Sequence, residues 1–319
     1  LLPNMTNKVN ILNNEHIIST FVKKEMNIVI RNTGDVPVKL YSIFPGNLNT
    51  PLLLCYDAFY EKTNAMAHSC DDSRPTGGVR ACKKSSLLED VYTYNDFVHA
   101  GNNKGCEKKT DVTSNAEKPY LVSEYNGHMY PTKPFDNIER RQEHALRYAR
   151  VLDQAMLDGG HAGCYEWCMF DYPTHKDFGS GDRVCYHGVM DAFRNPKLAS
   201  ALYASQGLST PVLEVGSTLD IGDYPGGQIG DIHVFTNADS VSLYKNNQYV
   251  ATLEDSDWKG LPHGPMVMDD CVGDLLITQE GFDKAKSEAI KKALNSAAKY
   301  GLGDILQPGN KVRIVGSMQ

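Results

Sequence analysis

The feature that most constrains the fold is a strand–helix–strand succession between residues 119 and 172. The segment PYLVSEY (119–125) has the apolar and aromatic residues of a short buried strand. A long helix follows, capped by Asp136 or Asn137 and stopped at Gly159-Gly160. The run AGCYEWCMFDY (162–172) predicts another buried strand. Strands and helices that alternate in this way are typical of parallel βαβ units, so we predict an α/β fold.

The segments on either side predict other structures. Residues 24–44 alternate as in a β-hairpin, and DAFYEKTNAMAHSC (57–70) has helical spacing until Pro75 and Gly77-Gly78 break it. LEDVYTYNDF (88–97) is strand-like, and the polar stretch 98–118 is expected to be a loop. Beyond about residue 207, IHVFTNADSVSLYKNNQYVATLE (232–254) indicates short antiparallel strands. A last amphipathic helix is predicted from Phe282 to Tyr300.

Composition and charge exclude some classes of protein. Of the 319 residues, 41% are hydrophobic and 22% charged, as in ordinary soluble globular proteins. A formal charge of −7 argues against a nucleic-acid or anionic-membrane partner, and no apolar run is long enough to span a membrane. The eight cysteines fit neither a zinc site nor a redox pair, so we expect free thiols and a cytoplasmic protein. The chain begins Leu1-Leu2-Pro3, and we expect it to lack its native N-terminus.

Polar and aromatic side chains gather where three of the predicted strands end. In a parallel α/β barrel, catalytic groups project from these carboxyl ends. Aromatic faces bind the C–H side of a pyranose, while Asn, Asp and His hold its hydroxyls, so the pattern indicates a sugar site. The residues are Tyr92, Tyr94, Asn95 and Asp96 on one strand, Glu124, Asn126 and His128 on the second, and Trp167, Asp171, Tyr172 and His175 on the third.

Several long motifs make a family resemblance visible. DDSRPTGGVR, EDVYTYNDF, YLVSEYNGHMYPTKPFD, RRQEHALRYARVLDQA and the run from EWCMFDYPTHKDF to NPKLASALYASQ follow one another in the order found in glycoside hydrolase family 2. The chain resembles the β-galactosidase-like enzymes of that family from Asp57 to about Gln206, and more loosely over 210–255. The resemblance implies a (β/α)8 TIM-barrel-type catalytic domain followed by an antiparallel β-sandwich.

The resemblance also implies that the barrel is incomplete. Its first strands, and the sandwich domain that precedes the barrel in the family, are not recognisable in the first 56 residues. We therefore expect an atypical N-terminal segment with a possible β-hairpin over 1–56, the C-terminal half of the barrel over 57–207, and an immunoglobulin-like β-sandwich with a C-terminal helix over 208–319.

Roles for single residues follow from matching these motifs. Glu124 in SEYNGH matches the family's nucleophile, which forms a covalent glycosyl-enzyme in a retaining mechanism. Tyr94 matches a tyrosine that hydrogen-bonds the nucleophile, and Trp167 resembles a sugar platform. His128 resembles a hydroxyl-binding histidine. Asn126, Asp171 and His175 are further candidates for substrate binding, and a purely structural role is the alternative for each.

The acid/base glutamate that a retaining glycosidase needs is not found where the family places it. Residues 33–56 contain no glutamate, and a forced alignment puts Asn47 on the family's asparagine and Leu48 on the acid. The upstream pair Asn14-Glu15 makes Glu15 a weaker candidate. Two hypotheses follow: a retaining β-glycosidase, or an impaired relative that acts as a carbohydrate-binding or assembly subunit.

The substrate and partners are expectations from the resemblance. An oligosaccharide or β-galactoside is the expected substrate, with β-glucuronides and β-mannosides still open. No cofactor is required, although Mg²⁺ or Na⁺ is possible because some members of the family use them, and no metal-ligand cluster is visible. An incomplete barrel leaves open sheet edges, so we expect a homo-oligomer or a missing N-terminal part.

Overall fold

The structure, a computed structural model, describes residues 49–81, 83–96, 106–126, 130–175, 182–219, 230–254 and 257–300. These form two compact units: the first takes in the described residues up to Tyr94 together with Lys109–Leu121, and the second takes in the rest. The hairpin predicted over 24–44 and the candidate Glu15 lie outside the described residues. Both stay predictions.

The first unit is built from a helix, a parallel strand pair and a short helix. It contains α1 (Asn49–Cys70), β1 (Gly77–Arg80), most of β2 (Val91–Asp96), α2 (Lys109–Val112) and the start of β3 (Tyr120–Tyr125). Strands β1 and β2 pair in parallel from Gly77↔Val91 to Arg80↔Tyr94. The helix predicted from Asp57 is confirmed but begins earlier, at Asn49, and its side chains are described from Phe59 onward. The loop predicted over 98–118 contains the short helix α2, which the polar composition did not indicate.

The strand β1 was missed because its glycines were interpreted only as helix breakers. A Cβ at Gly78 would overlap the Glu89 carboxylate and lie 2.8 Å from the Tyr60 ring. Glu89 is buried there in an ion pair with Arg80 of 2.9 Å. Glycine is therefore needed at this position for close packing around a buried ion pair.

The second unit begins with the α/β part that positions the candidate site. It contains the ends of β2 and β3, α3 (Ile138–Asp158), β4 (Gly163–Glu166), β5 (Tyr172–Pro173), β6 (Val184–Cys185) and α4 (Leu198–Gly207). The strand order of the four-stranded sheet is β1-β2-β3-β4. Helix α3 has the predicted ends: Asn137 Oδ1 accepts from Arg140 N at 2.8 Å, and Gly159 closes the helix at φ 61°. The described part of the chain is α/β, as predicted.

The strand predicted over 162–172 is wrong in its extent. Strand β4 ends at Glu166, and Tyr165 within it is 60% exposed. The reason is that the backbone beyond Glu166 pairs with a distant segment instead: Val189 N donates to Cys168 O at 2.9 Å, and Asp171 N donates to Met190 O at 3.0 Å. Composition does not report such long-range pairing.

The remainder of the second unit is antiparallel. Its strands are β7 (Leu213–Val215), β8 (Ile232–Thr236), β9 (Val241–Lys245), β10 (Gln248–Leu253) and β11 (Met266–Met268). Their order is β11-β8-β7 in one sheet and β10-β9 in another, and Asn246 and Asn247 turn the second at positive φ. Ile232, Val234, Met266 and Met268 form the core. Helices α5 (Leu275–Thr278) and α6 (Lys284–Tyr300) complete the described chain, and α6 confirms the last predicted helix.

A helix that crosses a membrane is both long and apolar. None of those between Asn49 and Tyr300 is both long and apolar enough to cross a membrane.

Candidate active site

Glu124 is the penultimate residue of β3, and the alternation of buried and half-buried side chains along the strand is interrupted there. Burial alternates from Tyr120 to Ser123, but Ser123 and Glu124 are then both half-buried and Tyr125 is buried again. In a regular strand, neighbours point to opposite faces. Here both Ser123 and Glu124 contact the same residue, Asn95, near the end of β2. The Glu124 side chain is therefore only partly buried at this point of the strand.

The hydrogen bonds around Glu124 form a short chain. Asn95 Nδ2 donates to Glu124 Oε2 at 3.2 Å, and Ser123 Oγ donates to Asn95 Oδ1 at 2.9 Å. Burial raises the pKa of the Glu124 carboxyl, because desolvation disfavours its charged form, and the hydrogen bond from Asn95 lowers it. Among the described residues, Glu124 Oε1 has no hydrogen-bond partner. One oxygen of the carboxylate is thus held by a neutral amide.

A second acid, Glu166, ends the neighbouring strand β4. Desolvation raises the pKa of its carboxyl too. Its surroundings are aromatic: burial holds the pKa values of Tyr125, Tyr148 and Tyr203 well above their usual range, and the Glu166 carboxylate adds to this. Tyr125 and Tyr203 share a short hydrogen bond between their hydroxyls. The Glu166 carboxyl group thus contributes to the electrostatic surroundings of these three buried tyrosines.

Trp167 follows β4 directly and is half-buried. Its backbone N–H donates to Tyr125 O at 2.9 Å, and its carbonyl oxygen lies 3.1 Å from the Tyr148 hydroxyl of α3. Its ring stands edge-on to that of Tyr172, with centroids 5.8 Å apart at 86°. The Trp167–Cys168 peptide bond is cis. The backbone of Trp167 is thus anchored beside the end of β3, and its role as a sugar platform stays a prediction.

Asp171 is enclosed by structural partners. Lys197 Nζ donates to Asp171 Oδ1 at 2.7 Å, and also to the carbonyls of Thr132 at 2.8 Å and Tyr186 at 3.0 Å. Gly188 N donates to the same Asp171 oxygen at 2.8 Å, and a Cβ at Gly188 would overlap the Asp171 backbone. Both charged side chains of the pair are almost fully buried.

The other candidates are more scattered. Tyr94 is buried on β2 in the first unit. Asn126 is 3% exposed at φ 59°, with no hydrogen-bond partner for its Nδ2 among the described residues. His175 is exposed two residues beyond β5. His128 lies outside the described residues, as does Glu15. The roles assigned to all five stay predictions.

Sequence reasoning assigned no individual role to three residues that the structure places next to candidates. Asn95 and Ser123 contact Glu124 or each other, and Lys197 pairs with Asp171. Asn95 stood among the polar residues at the end of its strand, and the proximity of neighbouring parallel strand ends was the available signal. Lys197 had no such signal, because the pairing depends on the path of the chain between residues 171 and 197.

A metal site in a protein needs several ligating side chains close together. Within the seven described ranges, no group of three or more His, Cys, Asp and Glu side chains is arranged to hold a metal ion. Cys70, Cys106, Cys164, Cys168, Cys185 and Cys271 are free thiols. No residue is therefore assigned to Mg²⁺ or Na⁺.

An α/β sheet with a half-buried carboxylate at the end of an inner strand is compatible with the enzymes that use a carboxylate as nucleophile. Curated relatives define the group more closely. A β-galactosidase of Thermoanaerobacterium thermosulfurigenes is 49% identical over 219 residues, which are 67% of this chain and 31% of that protein. A β-galactosidase of Rhizobium meliloti is 34% identical over 225 residues, 66% of this chain and 30% of that protein. This chain thus spans about a third of the length of the relatives it matches. With the motifs quoted above, these identities show that the chain belongs to glycoside hydrolase family 2, the β-galactosidase-like enzymes.

Family models and solved structures give two further findings. No protein-family model matches the chain. Solved structures with some likeness include a β-glucuronidase of Parabacteroides merdae, with a TM-score of 0.49 and 18% identity over 66% of this chain and 29% of that chain. A putative β-galactosidase of Bacteroides fragilis has a TM-score of 0.49 and 15% identity over 68% of this chain and 34% of that chain.

Proposed function

We propose that this chain carries the nucleophile half of a retaining β-glycosidase that hydrolyses terminal β-D-galactosides. In this proposal the α/β part is the C-terminal half of a (β/α)8 barrel and the antiparallel strands form a β-sandwich. The main observation in its support is the half-buried Glu124 carboxylate near the end of β3, which accepts a hydrogen bond at Oε2 from the neutral Asn95 amide. The galactose preference rests on the names of the curated relatives.

The chemistry proceeds in two displacements. Glu124 Oε1 forms a bond to the anomeric carbon while the bond to the aglycone oxygen breaks, and that oxygen leaves with the electron pair. Water then attacks the anomeric carbon, the bond to Oε1 breaks, and the water proton passes to a base. The carboxylate must be ionised for the first displacement, which the Asn95 hydrogen bond favours.

A natural aglycone also needs a proton as it leaves. In retaining enzymes a second carboxyl group about 5–5.5 Å from the nucleophile supplies it. Glu166 is not proposed for this role, because in family 2 the acid/base glutamate follows an asparagine at the end of an earlier barrel strand, whereas Glu166 follows Tyr165 at the end of β4. The donor is therefore sought outside the described residues, with Glu15 as the sequence candidate.

The decisive experiment uses a substrate whose aglycone needs no acid. 2,4-Dinitrophenyl 2-deoxy-2-fluoro-β-D-galactoside releases a stable phenolate, and its fluorine slows the second displacement so that the glycosyl-enzyme accumulates. We expect the wild-type chain to gain one fluorogalactosyl group by intact mass, mapped by peptide sequencing to Glu124. Glu124→Gln should gain none. Glu166→Gln, a matched change on the adjacent strand, should be labelled like the wild type.

Other outcomes would correct the proposal in defined ways. A label on another residue overturns the assignment of the nucleophile. A label only from the matching glucuronide or mannoside overturns the galactose preference. No label from any of the three sugars, on a folded chain, overturns the enzyme hypothesis.

A second candidate function, a carbohydrate-binding or assembly subunit, is favoured by one observation. Within the described ranges, the Glu124 carboxylate has only the Asn95 amide as hydrogen-bond partner, and no carboxylate is assigned opposite it. Azide separates the two candidates, because this anion attacks the glycosyl-enzyme without a general base. Turnover of 2,4-dinitrophenyl β-galactoside that rises with azide indicates a working nucleophile without its acid/base. Galactose binding by calorimetry without labelling indicates the binding subunit.

A further inference from the structure

We infer that Asn95 and Ser123 act as a positioning pair that holds Glu124 Oε2 and leaves Oε1 as the attacking oxygen. The inference rests on the proposed function, since it concerns the same carboxylate. Neither residue is taken to touch the sugar. Asn95 acts through Glu124, and Ser123 acts through Asn95.

The hydrogen-bonding capacities of the three groups determine their orientation. An ionised carboxylate only accepts hydrogen bonds, so the amide must present its NH₂ group to Glu124. Its carbonyl oxygen then faces Ser123, whose hydroxyl is able to donate. The distances of 3.2 Å and 2.9 Å fit this assignment at both ends. Ser123 thereby holds the amide in the orientation that serves Glu124.

Two consecutive residues of β3 share this one asparagine. Because Ser123 and Glu124 are consecutive, a regular strand would send them to opposite faces. Both instead contact Asn95, and both are half-buried. A single asparagine on the neighbouring strand thus ties two consecutive side chains together. The carboxylate is restrained through one oxygen only.

This restraint has a consequence for the reaction. A nucleophile held near the attacking geometry loses less freedom on reaching the transition state than one that rotates freely. Because Asn95 contacts the carboxylate and is not assigned to the sugar, its loss should lower the rate of attack and leave sugar binding unchanged. Hydrogen bonds to charged groups are worth enough to change a rate by about 10- to 100-fold.

The test measures the fluorogalactosyl trapping rate against reagent concentration for the wild type, Asn95→Ala, Ser123→Ala and the double variant. For Asn95→Ala we expect a maximal rate about 10- to 100-fold lower, with the half-saturating concentration unchanged. For Ser123→Ala we expect a loss of about 2- to 10-fold, as for a neutral hydrogen bond. The double variant should be no slower than Asn95→Ala, because Ser123 acts through Asn95.

Asn237→Ala is the matched control. The Asn237 amide donates to the carbonyls of Leu208 at 3.0 Å and Thr210 at 2.9 Å, in the antiparallel part of the chain. This variant should unfold at a lower temperature and still be trapped at the wild-type rate. If Asn95→Ala does not fold, Asn95→Asp replaces it, since it has the same shape and no donor, and trapping at neutral pH should be slowed.

The possible results distinguish failure of the positioning pair from failure of the proposed function. Wild-type trapping on Glu124 with an unchanged rate in Asn95→Ala or Asn95→Asp overturns the positioning pair and leaves the proposed function standing. Additive losses in the double variant overturn the role of Ser123 alone. A wild-type chain that is not labelled by any of the three sugars overturns the proposed function and the positioning pair together.

Discussion

Glu124 and Asp171 are two carboxylates at strand ends that the sequence presents alike. Asp171 is 5% exposed and pairs with the buried Lys197 ammonium at 2.7 Å, and Gly188 N donates to the same oxygen. Glu124 is half-buried, has one neutral donor at 3.2 Å, and has no described partner for Oε1. The protein surrounds one acid with permanent partners and leaves the other partly open.

The two acids differ in the partners that surround them. Lys197 uses all three of its N–H bonds, to Asp171 and to two backbone carbonyls, so this pair joins three parts of the second unit. Desolvation raises the pKa of Asp171 against the opposing effect of Lys197. Desolvation raises the pKa of Glu124 as well, but only an amide opposes it. We conclude that partners, more than burial, distinguish the two acids.

We expect the largest change in stability from removing the cation that pairs with Asp171. Lys197→Met leaves the Asp171 carboxylate buried without its cation, and we expect the free energy of unfolding to fall by about 3–5 kcal/mol, measured by urea denaturation. The matched control is Lys133→Met, whose pair with Asp182 at 3.1 Å is partly exposed, and its loss of stability should be much smaller than that of Lys197→Met. Equal losses in the two variants would show that Asp171 is not held as the structure indicates.

We expect a smaller change, in the pH dependence of the trapping rate, from replacing the neutral donor to Glu124. Asn95→Asp replaces the neutral donor by a second carboxylate, and two like charges this close raise the pKa of one of them. We expect the acidic limb of the trapping rate to move to higher pH, so that trapping at pH 5 falls more than trapping at pH 8. The pH profile of labelling at Glu124 measures this. An acidic limb that stays at the wild-type pH would mean that residue 95 does not contact the nucleophile.

The smallest expected effect concerns stability against pH. The folded-state pKa of Glu124 is raised, so ionisation is harder in the folded chain, and stability is lost as pH rises through that pKa. Glu124→Gln removes this loss, and its melting temperature relative to the wild type should be higher at pH 8 than at pH 4. Asp191→Asn should show the opposite trend, because hydrogen bonds, first from Asn195, lower the pKa of Asp191. If the melting temperatures of the two variants, relative to the wild type, changed with pH in the same direction, the directions assigned to these pKa shifts would be contradicted.

Local structure was predictable where nearby residues decide it. The ends of α3 follow from Asn137 and Gly159, which act within one helical turn, and the strand at 120–125 follows from its own apolar residues. The strand at Gly77–Arg80 and the early end of β4 at Glu166 were not predictable in this way. Gly78 is required by Glu89 and Tyr60, and the residues after Glu166 pair with the backbone near residues 189 and 190. Both depend on contacts between segments remote in sequence.

The family and the α/β succession were readable from the sequence alone, and Glu124 was its candidate nucleophile, because long contiguous motifs and local periodicity carry that information along the chain. The surroundings of each acid came from the folded structure. It places Asn95 and Ser123 near Glu124, and Lys197 at Asp171. The reason is physical: the state of a carboxyl group depends on desolvation and on the charges and donors within a few ångströms, and in a folded chain those neighbours come from residues far apart in sequence.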